Sequence, residues 1–158
     1  MYELLQETVA SNMTRRVRHV APEMTVGDLY RLFAAEDFEA YPVVRNDRVV
    51  GMVSKLDALK VFAFATDQIL PHYMDGMGTT VDEIMTLDVV SAAPETSLQR
   101  ALQLMIEHRV KSLPVIDEWR HIVGIIARED VMRAMERCTV RQEPPIVPFE
   151  ATRCLASA

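Results

Sequence analysis

The sequence predicts a mixed α/β (α+β) protein built from two copies of one β-α-β-β-α unit packed about a pseudo-twofold axis. Two observations predict it. Met13 and Met85, Pro22 and Pro94, and Pro42 and Pro114 are each 72 residues apart, and Gly51 and Gly124, like Asp57 and Asp130, are 73 apart. A register held over about fifty residues that slips by one only between Ile116 and Ile122 marks an internal repeat with an insertion in a surface turn. Within each copy the apolar spacing then alternates between helical and strand periods in the same order. Units of this size bury too little surface to stand alone, so the two are expected to pack on each other, with a binding cleft between them.

Each element has its own signal. Leu4, Leu5 and Val9 suggest a short leading helix or arm over Tyr2–Ala10, and Val17–Val20 is a short strand ending at Pro22. Thr25 suits a helix N-cap, followed by the apolar face Val26, Leu29, Tyr30, Leu32 and Phe33 and a helix end near Asp37. Tyr41–Val44 and Val49–Val53 read as strands joined by a turn at Asn46-Asp47-Arg48, and Lys55 begins a helix carrying Leu56, Leu59, Val61 and Phe62. The order returns with a strand at Val89–Ser91, a helix with Leu98, Ala101, Leu102, Met105 and Ile106, strands at Leu113–Ile116 and Ile122–Ile126, and a last helix from Val131 and Met132. The resulting division is an arm and first repeat over 1–66, a linker over 67–80 containing Pro71, Gly76 and Gly78, a second repeat over 81–137, and an irregular tail over 138–158 containing Pro144, Pro145 and Pro148.

Composition narrows the function. At 158 residues, 49% hydrophobic, with a formal charge of −6 and a pI near 5.2, the chain reads as a soluble globular protein without the basic face of a nucleic-acid binder. No apolar stretch approaches the roughly 20 residues that span a bilayer, and the acidic start lacks the features of a signal peptide, so a cytoplasmic location is expected. Cys138 and Cys154 have neither CxxC spacing nor paired histidines and read as free thiols. There is no nucleophile elbow, no P-loop and no metal-ligand cluster, so no enzyme is expected, and no cofactor is required.

The most informative stretches are Gly51-Met52-Val53-Ser54-Lys55-Leu56-Asp57 and Gly124-Ile125-Ile126-Ala127-Arg128-Glu129-Asp130. Each is a strand-to-helix junction, which directs backbone N–H groups and the positive end of a helix dipole outward and suits an anion. Together with Met-Thr, a Pro-terminated strand, an amphipathic helix and a Pro-Val strand, all present twice, they resemble a tandem pair of cystathionine-β-synthase (CBS) domains over roughly residues 8–137. That resemblance implies a regulatory sensor of adenosyl ligands, an adenine nucleotide (AMP, ADP or ATP) or S-adenosylmethionine. It puts the ribose-binding Asp on Asp57 and Asp130 and the phosphate hydroxyl on Ser54. The second repeat departs from the pattern, with Ala127 in place of the hydroxyl.

The side-chain chemistry agrees with that implication. An ionised Asp57 can accept from both ribose hydroxyls, Ser54 can donate to a phosphate, and Lys55 and Arg128 can supply countercharge. Val17 with Tyr41, Pro42 and Val43 offers an apolar slot for adenine. Basic residues before the Pro-Val strand reach phosphates in relatives, which implies Lys111 here, so an asymmetric site combining Ser54 and Asp57 with Lys111 is expected. Ser54-x-x-Asp57 is equally a capping box, in which the two side chains serve the helix end. Arg15, Arg16 and Arg18 are either a phosphate-facing cluster or a solvated edge. The alternative function is a ligand-free interaction module acting through dimerisation. Leu56, Leu59, Phe62 and Phe64, with Val131, Met132 and Met135, form an apolar surface that a homodimer would bury.

Overall fold

The computed structural model of the chain describes residues 7–63 and 75–140. Most of the predicted linker and tail, including Phe64, Pro71, Pro144, Pro145, Pro148 and Cys154, lies outside those residues, as does the start of the predicted leading arm.

Two antiparallel hairpins form the centre of the two halves. In the first, β1 (Ala40–Arg45) pairs with β2 (Arg48–Ser54); in the second, β3 (Ser112–Ile116) pairs with β4 (Ile122–Ala127). Asn46 and Asp47 close the first hairpin at φ of 54° and 62°, the left-handed pair that a type I′ turn needs and that Asn and Asp tolerate best without glycine. The longer second turn is held by Asp117 Oδ1, which accepts from the backbone N–H groups of Trp119 (2.9 Å) and His121 (2.8 Å). Both hairpins carry a register shift at the same repeat position, between Val43 and Val44 and between Val115 and Ile116.

Each hairpin is flanked by two helices: α2 (Val26–Ala35) and α3 (Lys55–Ala63) in the first half, α5 (Leu98–His108) and α6 (Arg128–Val140) in the second. Short helices α1 (Val9–Asn12) and α4 (Val81–Ile84) precede the halves. Thr25 caps α2, its Oγ1 accepting from Asp28 N at 3.2 Å, and Ser97 caps α5 by the same contact with Arg100 N. Helix α6 runs on to Val140, three residues into the segment expected to be irregular, and buries Cys138.

The strands predicted at 17–20 and 89–91 do not form. Val20 makes one parallel bridge to Val43, and in the second half the matching bridge to Val115 comes from Ala92, one residue past the predicted strand. The neighbouring Arg16, Arg18 and His19 are exposed, and Pro22 and Pro94, two residues beyond each bridge, lack the N–H to extend a ladder.

The short helices are exchanged between halves. Fully buried Val9 of α1 packs with Leu98, Leu113 and Ile126 in the second core, and fully buried Val81 of α4 packs with Val26, Leu29 and Val43 in the first. Val9 N donates to Thr96 O and Val81 N to Met24 O, both at 2.8 Å, and the bridges Thr14–Ile125 and Thr86–Met52 are a matched pair as well. Every such contact recurs with residues 72 or 73 apart, which is the pseudo-twofold expected from the repeat.

Exchange also explains Gly51 and Gly124. Neither has a positive φ, so conformational freedom is not what they supply. A Cβ on Gly124 would lie 2.4 Å from Met13 Sδ and 3.2 Å from Thr14 O, and one on Gly51 would lie 2.5 Å from Met85 Sδ and 3.1 Å from Thr86 O. Glycine is required because the Met-Thr segment from the other half lies directly against the strand.

Candidate functional site

A cleft of about 290 Å³ opens between the halves beside Asp130. Three segments form its walls: Thr14, Arg16 and Arg18 from the exchanged arm; Asp37 to Tyr41 at the start of β1; and residues of the second half, namely Lys111, Ser112, Ile125, Ala127, Glu129, Asp130 and Arg133. The bridge from Thr14 to Ile125 brings the arginines to this side. Arg128 N donates to Lys111 O at 3.0 Å, which joins the start of α6 to the start of β3 and sets Lys111 near Asp130.

Of the residues singled out from the sequence, the cleft gathers Arg16, Arg18, Tyr41, Lys111 and Asp130. Ser54, Lys55, Asp57, Val17, Pro42, Val43 and Arg128 are not among its lining residues. Val43 and Pro42 are buried in the first half. Arg128 turns to Glu129, 2.8 Å away. Tyr41 is 1% exposed and its hydroxyl donates to Glu36 Oε2 at 2.9 Å, so it supports the wall from behind. Burial pushes its phenol well above the ordinary range, and the bond to Glu36 adds to the effect. The aromatic face on offer is Phe38, 44% exposed and edge-on to Tyr41 at 5.6 Å between centroids.

In this cleft Lys111 stands with Asp130 and not with Ser54 and Asp57, whose mutual contacts are those of a capping box. Ser54 Oγ accepts from Asp57 N at 3.2 Å, while Asp57 Oδ2 accepts from Ser54 N at 2.9 Å and from Ser54 Oγ at 2.7 Å. Lys60 takes Oδ1 at 3.0 Å. Burial works against ionisation of Asp57, but the Ser54 bonds and Lys60 outweigh it and hold the carboxyl below the usual aspartate range. The N–H of Lys55, expected to face a ligand, donates to Glu39 O at 3.0 Å.

Asp130 differs by one hydroxyl. Its Oδ2 accepts from Ala127 N at 2.8 Å and its Oδ1 from the Arg133 guanidinium. A carboxylate oxygen has two acceptor positions. Among the described residues, Asp130 thus keeps one open position on each oxygen, whereas both positions on Asp57 Oδ2 are filled. Two open acceptors on one buried carboxylate suit a vicinal diol, so Ala127 favours this use of Asp130.

The cleft holds four cations, Arg16, Arg18, Lys111 and Arg133, and four carboxylates, Asp37, Glu39, Glu129 and Asp130, so it selects ligand charge locally, not by a strong net field. Arg18 is paired with Glu36, Arg133 with Asp130 and Lys111 with Glu39. Arg16 makes no hydrogen bond or ion pair among the described residues and is the cation most open to an anion. The equivalent position in the other repeat, 72 residues on, is Asp88. Phe38 was not singled out from the sequence, although a lone aromatic among Glu36, Asp37 and Glu39 just before a strand is a usable signal.

A CBS-domain family model matches the chain twice, over residues 7–63 and 81–137. The chain belongs to the CBS-domain family. The CBS domain-containing protein YhcV of Bacillus subtilis is 33% identical over 125 residues, covering 78% of this chain and 82% of YhcV. Protein MJ1225 of Methanocaldococcus jannaschii is 29% identical over 132 residues, or 80% of this chain, and this CBS pair spans only 46% of it. Its crystal structure superposes with a TM-score of 0.75 at 26% identity, covering 82% of this chain and 48% of that one. The CBS-pair protein CBSX2 from Arabidopsis thaliana, solved in complex with AMP, gives a TM-score of 0.72 at 27% identity, covering 84% of this chain and 98% of CBSX2. Among the described residues of the CBS pair, no helix is long and apolar enough to cross a membrane, and no group of three or more His, Cys, Asp or Glu could hold a metal ion.

Proposed function

We propose that this CBS pair is a non-catalytic, cytoplasmic regulatory module that binds an adenosyl ligand in the cleft beside Asp130, with AMP the leading ligand. The observation that carries this reading is the meeting of a buried carboxylate with two open acceptor positions, an exposed phenyl face and an uncommitted arginine in one cleft. Asp130 takes the ribose hydroxyls, Phe38 with Ile125 and Ala127 takes the base, and Arg16 with Lys111 takes phosphate. That CBSX2 was solved with AMP supports the ligand class. A volume of about 290 Å³ is at the lower end of small-molecule sites, roughly 300–1,000 Å³. S-adenosylmethionine, with its cationic sulfonium, is disfavoured beside Arg16.

Calorimetric titration with AMP, ADP, ATP and S-adenosylmethionine tests the reading. Saturable binding with AMP strongest is expected. Absence of heat with all four ligands, in folded and nucleotide-free protein, would reject it in favour of a ligand-free interaction module.

The module is proposed to act as a homodimer. Leu56 and Leu59 on α3 and Met132 and Met135 on α6 are exposed, and burying such side chains yields about 25 cal/mol per Å² of apolar area. Of the other residues expected on this surface, Val131 is buried in the second core and Phe62 packs against the first. Light scattering at micromolar concentration should return twice the chain mass of 17.9 kDa, and a monomeric value would sink the proposal.

A further inference from the structure

We propose that Glu39 is a built-in competitor for the anionic end of the ligand, pairing with Lys111 and so setting the preference between charged and neutral adenosyl ligands. This rests on the reading of the cleft as an adenosyl site. Glu39 and Lys111 are equivalent positions of the repeat, 72 residues apart, and they meet each other at the pseudo-twofold axis with Lys111 Nζ 3.0 Å from Glu39 Oε2. A base at both positions would leave two cations facing the cleft; an acid at one of them neutralises the other.

The backbone fixes this encounter. Lys55 N donates to Glu39 O and Arg128 N to Lys111 O, each at 3.0 Å, so both side chains leave from anchored points at the two helix starts. Both side chains are about half exposed, and ion pairs in that setting are weak and readily exchanged. A phosphate carrying up to two charges is a stronger partner for Lys111 than one carboxylate. Glu39 also has somewhere to go. Its Oε1 lies 3.6 Å from Lys55 Nζ, so a ligand that takes Lys111 leaves the carboxylate paired with Lys55. Lys111, ahead of Lys55, holds the Glu39 carboxyl below the ordinary glutamate range, in keeping with the pair.

The test compares AMP with adenosine, which has the same base and ribose but no phosphate, on the wild type, Glu39→Gln and the double variant Glu39→Gln/Lys111→Gln. Glu39→Gln is expected to tighten AMP by about two- to fivefold and to leave adenosine within about 1.5-fold, the scale of one exposed ion pair. The gain for AMP should vanish in the double variant. Equal shifts for AMP and adenosine, no shift for AMP, or a gain that survives loss of Lys111 would overturn the role of Glu39 while leaving the adenosyl site standing. Failure of both ligands to bind wild type and variants would overturn the adenosyl reading and this proposal with it.

Discussion

Asp130→Ala is expected to lower AMP affinity by about 10- to 100-fold, the range for losing hydrogen bonds to a charged group, while Asp57→Ala leaves it within about threefold. The contrast follows from the open acceptor positions on Asp130 and from the cations around it. On the Asp130 side the exchanged arm brings Arg16 and Arg18; the equivalent positions in the other repeat are Asp88 and Val90. Asp130 also receives Ala127 N at 2.8 Å and the Arg133 guanidinium, so its loss costs some stability too. Affinity must therefore be measured below the melting transition, with Asp130→Asn alongside to preserve shape. Loss of binding in Asp57→Ala with retention in Asp130→Ala would move the site to the other half.

Gly124→Ala is expected to destabilise the fold by about 1–3 kcal/mol, the usual cost of overpacking. The new methyl would meet Met13 Sδ at 2.4 Å, which a methionine can partly relieve by moving, and Thr14 O at 3.2 Å, which the bridge to Ile125 holds in place. Met13→Ala should recover part of the loss. In denaturant unfolding, the double variant is expected to be more stable than the sum of the single effects by about 1 kcal/mol, within the range for residues in contact. Strict additivity would contradict the exchanged packing.

Much of the fold was legible because it is written in local pattern. Within the predicted helical faces Val26, Leu29, Phe33, Leu98, Ala101 and Met105 are buried while Tyr30 and Ile106 at the edges are exposed, and Thr25 caps its helix. The failures were also local in origin. Val17–Val20 carries strand-forming residues, but Val20 alone reaches β1, because a two-stranded hairpin with an exposed arginine-rich neighbour and a following proline supports no longer ladder. Val131 and Met132 begin the same helix and share its apolar pattern, but the place of Val131 on the turn directs it to the core.

The candidate site was legible in its residue types and not in its grouping. Motif alone marked Asp57, Asp130 and Lys111, and Ala127 looked like a loss because its effect on Asp130 is visible only once the bonds around each carboxylate can be compared. By itself the sequence determined that there are two equivalent halves, the hairpin and the two longer helices of each, and which side chains carry charge at each equivalent position. Tertiary structure alone decided that the arm bearing Arg16 and Arg18 joins the half bearing Asp130 instead of the half it precedes. Hydrophobic periodicity reports which face of an element is buried but not against which partner. When two near-identical cores accept the same Val and the same Met-Thr segment, only the path of the chain in space distinguishes them.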